Sequence, residues 1–128
     1  MAQAVSFQSI LMDIEFFREY CLKKKGVTEE LPFDNNTLCF KVMGKIFAIT
    51  DIDEFESINL KCHPEEAIKL REKYESVLPG YHMNKKHWNT IAVNSDMDDK
   101  TLLHWINHSY DKVVAGLPKK LREELKTL

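Results

Sequence analysis

Ile10, Ile14, Phe17 and Cys21 recur at offsets of four, three and four, while Arg18, Glu19, Lys23 and Lys24 fall on other faces. That spacing predicts an amphipathic helix over residues 9–24, stopped at Gly26. The stretch TEELPFD that follows reads as a loop, because its proline cannot continue a helix. The period then changes. TLCFKV and KIFAIT are β-rich runs separated by Met43 and Gly44, and the glycine can take the positive φ of a tight turn, so a hairpin is expected. SINLKC alternates strictly, with Ile58, Leu60 and Cys62 on one face and Asn59 and Lys61 on the other, as a half-buried antiparallel strand does. DIDEFE, between these runs, reads as a solvated connection.

In HPEEAIKLREKY a proline stands at the first helical position and two glutamates in the first turn, where they favour the helix dipole. Ala67, Leu70, Arg71 and Tyr74 line one side of the short second helix this predicts. WNTIAV is another strand, and the aspartates of SDMDDK are placed to cap a helix starting near residue 99. Leu102, Ile106, Ser109, Val113 and Leu117 form its inner stripe before Gly116 and Pro118 interrupt it. A last amphipathic stretch, PKKLREELKTL, ends the sequence. There is no repeat, low-complexity tract or linker, so the architecture expected is one α+β domain over residues 1–128: an antiparallel sheet with helices packed on its apolar face.

Composition adds limits to this pattern. With 128 residues, 44% hydrophobic and 30% charged, the chain can bury a real core. Its longest apolar runs are far shorter than a membrane span, and acidic residues stand where a secretion signal needs bases, so a cytoplasmic protein without membrane attachment is expected. Cys21, Cys39 and Cys62 are odd in number and lack CxxC spacing, which predicts reduced core thiols. Residues 1–60 hold 6 basic and 10 acidic side chains and residues 61–128 hold 12 and 10, so a polyanion would meet the second half. That excess is too small for tight nonspecific binding to nucleic acid.

Catalytic chemistry finds little support. GxSxG does not occur, and four glycines make no phosphate-cradling loop. His104 and His108 are four apart on a helix, a spacing that can place two imidazoles on one metal, but HWINH has tryptophan where a zincin motif needs glutamate. No metal, cofactor or catalytic residue is assigned.

The chain resembles the MmcQ/YjbR family of small bacterial proteins in LPFDNNTLCFKVMGKIFAIT, INLKCHPEEAIKLREKY, PGYHMNKKHWNTIAV and INHSYDKVVAGLPKKLRE, in that order. Its most specific piece is PGYHMNKKHWNTI, followed by HSYDKVVAGLPKK. The resemblance implies a CyaY-like α+β fold and carries a DNA-binding label. Frataxin-type proteins share that fold and use an acidic ridge for iron; here only Asp51, Asp53, Glu54 and Glu56 resemble one.

Residues 79–93 support two readings. In the structural one, Pro79 and Gly80 set a turn, Tyr81 and Trp88 anchor at the core edge, and Asn84 and Asn89 bond loop backbone groups. In the functional one, Lys85, Lys86, His82 and His87 form the longest one-sided cationic stretch, with no acid from Gly80 to Val93. Lysines can neutralise phosphates, Asn84 and Asn89 can bond bases or sugars, and an exposed Trp88 or Tyr81 can stack on an unpaired base. Lys119, Lys120 and Arg122 form a second cluster. The function expected is weak, non-enzymatic binding of DNA through the 80–89 loop and the C-terminal lysines. The alternative is a small-ligand or protein-binding module with a pocket lined by Tyr81, His82, Asn84, His87 and Trp88.

Overall fold

The computed structural model describes residues 12–80 and 83–128. Its elements run α1 (Ile14–Leu22), β1 (Val27–Glu30), β2 (Thr37–Val42), β3 (Lys45–Asp51), β4 (Ser57–Lys61), α2 (Pro64–Lys73), β5 (Val77–Pro79), β6 (Trp88–Ala92), α3 (Asp99–Ala115) and α4 (Lys119–Lys126). The strands form one antiparallel sheet in the order β1-β2-β3-β4-β6-β5.

Each helix end follows from local chemistry. The Asp13 side chain accepts the Phe16 amide at the start of α1, and Asp98 accepts that of Thr101 at the start of α3. His63 Nδ1 accepts the Glu65 amide ahead of Pro64, giving one histidine a capping role. Of the helix expected over residues 9–24, residues 9–11 lie outside the described residues, and Met12 and Asp13 precede the first turn because Asp13 is the cap, so the helix spans Ile14–Leu22. Phe17 and Cys21 of α1, Ala67 and Leu70 of α2, and Leu102, Ile106 and Val113 of α3 enter one core cluster with Phe40, Ala48, Ile58, Leu60 and Ile91 of the sheet. Phe17 meets Phe40 edge to face at 5.3 Å. The helices therefore cover one face of the sheet, as the alternation in SINLKC predicts.

Two strands depart from the expectations. Thr28, Glu29 and Glu30, read as loop, form most of β1 against β2. Glutamates suit a strand poorly, but at this edge each finds a partner: Arg18 of α1 donates to Glu29, and Lys41 on the neighbouring strand pairs with Glu30 at 3.1 Å. Pro79, expected to set a turn with Gly80, instead ends the short edge strand β5, where proline is tolerated.

The β2–β3 hairpin turns at Met43 and Gly44, with φ of 49° and 86°, so both central residues take the left-handed conformation that suits strand twist. Further on, Phe40 pairs with Ala48 but Lys41 with Ile46, leaving Phe47 as an extra residue in β3. The bulge turns Phe47 into the core beside Tyr110. Ser109 of α3 closes the gap this leaves between β3 and β4: its Oγ accepts the Lys61 amide at 2.8 Å and donates to the Phe47 carbonyl at 2.6 Å. A polar residue in the apolar stripe of α3 thereby completes the sheet's hydrogen bonding.

Candidate functional site

The segment between β5 and β6 is held at several points. Gly80 N–H donates to the Trp88 carbonyl at 2.8 Å, at the edge of the strand pair. The Asn84 side chain accepts the Lys86 amide at 2.9 Å, while its carbonyl accepts the amides of His87 and Trp88. Arg71, on α2, donates to the Lys85 carbonyl at 3.0 Å, and Lys85 Nζ donates to the Gly80 carbonyl at 3.2 Å. The His87 carbonyl accepts the Cys62 amide at 2.7 Å, carrying the β4–β6 ladder one step further. The segment is thus a tied turn with Lys85 and Lys86 exposed at its tip.

Strand ends bring other lysines to the same end of the sheet. Lys61 ends β4 and pairs with Trp88 at the start of β6, and Lys45 begins β3 beside it. The C-terminal end of α3 reaches this edge, where Lys45, Ile46, Lys61, Val113 and Gly116 line a groove of about 300 Å³. Lys119 and Lys120 open α4 immediately afterwards, and α4 then runs to Leu125, which packs close to Gly26 before β1. The loop and the C-terminal lysines therefore share one end of the sheet without meeting, separated by the ends of β3 and β4. None of Lys45, Lys61, Lys85, Lys86, Lys119 and Lys120 forms an ion pair among the described residues. Glu65 and Glu66 start α2 nearby on the helix side.

Several expectations for this stretch are corrected. Asn89 is not a surface contact: it is 1% exposed, and its Nδ2 donates to the Ala67 carbonyl of α2. Period two decides this, because Asn89 pairs with core-facing Leu60 and so points under the helices. For the same reason its neighbour Trp88 takes the other face. Trp88 is half-buried beside Lys61 and is not part of the core, so it is no core-edge anchor. Tyr81 and His82 lie outside the described residues. Asn84 does bond the loop backbone as the structural reading expects.

A groove of about 540 Å³ on the helix-free face of the sheet is bounded by Phe33, Thr37, Ile46, Ile49, Thr50, Asp51, Ser57, Asn59 and Met83. Of the described loop residues only Met83 borders it. Lys61, Arg71 and Phe33 were missed as site residues by the sequence reading. The alternation of SINLKC does carry the signal for Lys61, since it places this lysine on the polar face, but the contact from Arg71 spans 14 residues and has no local signature.

The three thiols are buried. Burial pushes Cys21 up to about 12, and burial with Glu66 pushes Cys62 up to about 11, so neither is held as a reactive thiolate. Among the described residues no group of three or more histidines, cysteines, aspartates or glutamates could hold a metal ion. The Nε2 of His108, an atom a metal would use, accepts the His63 amide at 3.2 Å.

That bond requires neutral imidazole at His108, and burial, then Lys112 and His104, hold its pKa below the ordinary histidine value. Asp111 and Glu66 oppose the shift without reversing it. A depressed folded pKa means that the unfolded chain binds the proton first, so this contribution to stability is full above about pH 6.5 and is lost as pH falls through the folded value. His108→Gln, which keeps an acceptor but cannot titrate, is expected to flatten the stability profile below pH 6.5. Urea midpoints across that range check this; parallel profiles for the two proteins would count against it.

Comparison with known proteins accords with this architecture. A family model described as YjbR matches residues 22–112. The protein YjbR of Escherichia coli K12 is 30% identical over 115 residues, covering 89% of this chain and 98% of its own. YbdF of Escherichia coli O157:H7 is 38% identical over 90 residues, covering 70% of this chain and 74% of its own. The crystal structure of Deinococcus radiodurans protein DR2400 superposes with a TM-score of 0.85 at 33% identity, covering 94% of this chain and 92% of that one. With the family model matching residues 22–112 and a 30% identical relative aligned over 89% of the chain, this protein belongs to the YjbR family.

Proposed function

We propose that this protein binds DNA weakly and without catalysis, contacting phosphates through Lys85 and Lys86, with Lys61, Lys119 and Lys120 extending the contact across one end of the sheet. The observation that carries the reading is the convergence of lysines without ion pairs among the described residues, from the β5–β6 turn, from β3 and β4, and from the start of α4, on that end. A turn already tied by Arg71 and Asn84 loses little entropy when its lysines engage a phosphate. His87 lies within the same turn, and Asn84 offers its amide. Trp88, half-exposed beside Lys61, is placed to stack on an unpaired base. A cytoplasmic setting fits three unpaired, buried thiols. A small-ligand module is the second reading, favoured by the groove on the helix-free face.

Replacing Lys85 and Lys86 together by alanine is expected to weaken binding to every DNA sequence and to lower the salt slope by about two contacts' worth. Stability should change by no more than about 1 kcal/mol, because both side chains are exposed and the variant gives up only the Lys85 hydrogen bond to the Gly80 carbonyl. Fluorescence anisotropy with labelled duplex and single-stranded DNA over a salt series checks both statements. Equal binding by the double variant, or no binding by the wild type at low salt, would remove this loop from the reading.

A further inference from the structure

The helix-free face of the sheet carries a charge gradient along its strands. By register, Thr37, Asp51 and Ser57 lie at one end, Cys39, Ile49, Asn59 and Leu78 in the middle, and Lys41, Ile46, Lys61 and Trp88 at the other. Asp34, Asp53 and Glu54 extend the first end through the adjoining turns, and Lys85 and Lys86 extend the second. Between them the middle row is mixed: Glu30, paired with Lys41, and Leu78 are exposed at its two edges, Asn59 and Thr90 are half-buried, and Cys39 and Ile49 are buried at its centre. Phe33 is 69% and Leu78 60% exposed, and the groove over Ile46 and Ile49 runs from Phe33 to Met83. Large exposed apolar side chains rimmed by charge mark an interaction surface.

We propose that a second copy of this chain covers this face, forming an isologous dimer about a two-fold axis that runs across the strands. Such an axis carries the acidic end of each copy over the lysine end of the other, so one patch supplies both complementary halves, as an isologous contact requires. The row containing Ile49 lies nearest the axis. Phe33, at the acidic end, is carried over the partner's Ile46 at the lysine end, where a projecting ring meets an open groove.

Size sets the strength expected. Six strands about 4.8 Å apart, each about five residues long at about 3.4 Å, present a face of roughly 25 by 17 Å. That is well below the 800 Å² or so per partner of a standard interface, so the dimer forms weakly and loosens with salt. Lys61, Lys85 and Lys86 serve both this contact and the proposed DNA contact, so DNA and the second copy compete. The dimer itself does not depend on the nucleic-acid reading and is tested without DNA.

Sedimentation equilibrium of the full chain, over about a hundredfold range of concentration at low and high salt, is expected to show a monomer–dimer equilibrium that shifts to monomer with salt. Phe33→Asp should raise the dissociation constant at least about tenfold. Asp53→Lys with Glu54→Lys reverses the acidic end, and Lys61→Glu with Lys86→Glu reverses the other. Each double variant alone should remain monomeric, whereas an equimolar mixture should associate to within about threefold of the wild-type constant, since opposite ends again meet. Circular dichroism confirms that each variant is folded. A wild type that stays monomeric throughout at low salt, a mixture of folded variants that does not associate, or a dimer indifferent to Phe33→Asp would each overturn the proposal and leave the groove to a small ligand.

Discussion

Ser109→Ala is expected to lower the free energy of unfolding by about 2–4 kcal/mol, although the change removes a single oxygen atom. Ser109 is fully buried, and its hydroxyl is the bridge between the Lys61 amide and the Phe47 carbonyl across the bulge in β3. Alanine leaves both backbone groups without a partner, and each buried unsatisfied group costs about 1–3 kcal/mol. The methyl group that remains fills nearly the same space, so cavity formation contributes little. Urea unfolding followed by circular dichroism measures the loss, and an unchanged m-value would place it in the folded state. A loss below about 0.5 kcal/mol would mean that β3 and β4 can close the gap themselves, and the bulge would no longer depend on α3.

Gly80→Ala is expected to cost about 2–3 kcal/mol and to loosen the turn that carries Lys85 and Lys86. The reason is spatial rather than a matter of φ. A Cβ at residue 80 would lie 2.7 Å from the Trp88 Cβ and 2.9 Å from the Trp88 carbonyl oxygen, closer than such atoms approach. The carbonyl is also the acceptor of the Gly80 amide, so relieving the clash stretches or breaks that bond. Overpacking of this kind commonly costs about 1–3 kcal/mol, and the lost hydrogen bond places the result in the upper part of that range. Thermal unfolding measures the stability change. Amide exchange at residues 80 and 88 should quicken by more than the global change requires, and unchanged exchange there would show that the strand pair absorbs the methyl without opening.

The sequence by itself determined the elements whose pattern is local. The stripe of Leu102, Ile106, Ser109, Val113 and Leu117 is buried along and just beyond α3, Pro64 opens α2, and Asp98 caps α3. The hairpin at Gly44 and the alternation of Ile58 and Leu60 were equally legible, because period two and positive φ are properties of neighbouring residues. Tertiary structure alone decided the rest. Nothing local in TEE makes a strand; β1 exists because β2 offers an edge and Arg18 and Lys41 neutralise its glutamates. Nothing in NKKHWNT says which of Trp88 and Asn89 faces the core, since both are plausible on either side. Pairing with Lys61 and Leu60 settles it, sending Asn89 under α2 and leaving Trp88 beside a lysine. The role of Ser109 follows the same rule: its spacing marks it as buried, but only a bulge 62 residues away gives its hydroxyl two partners. Backbone periodicity is written within a few residues, whereas hydrogen-bond partners and the face a residue takes are chosen by strands and helices that meet only when the chain folds.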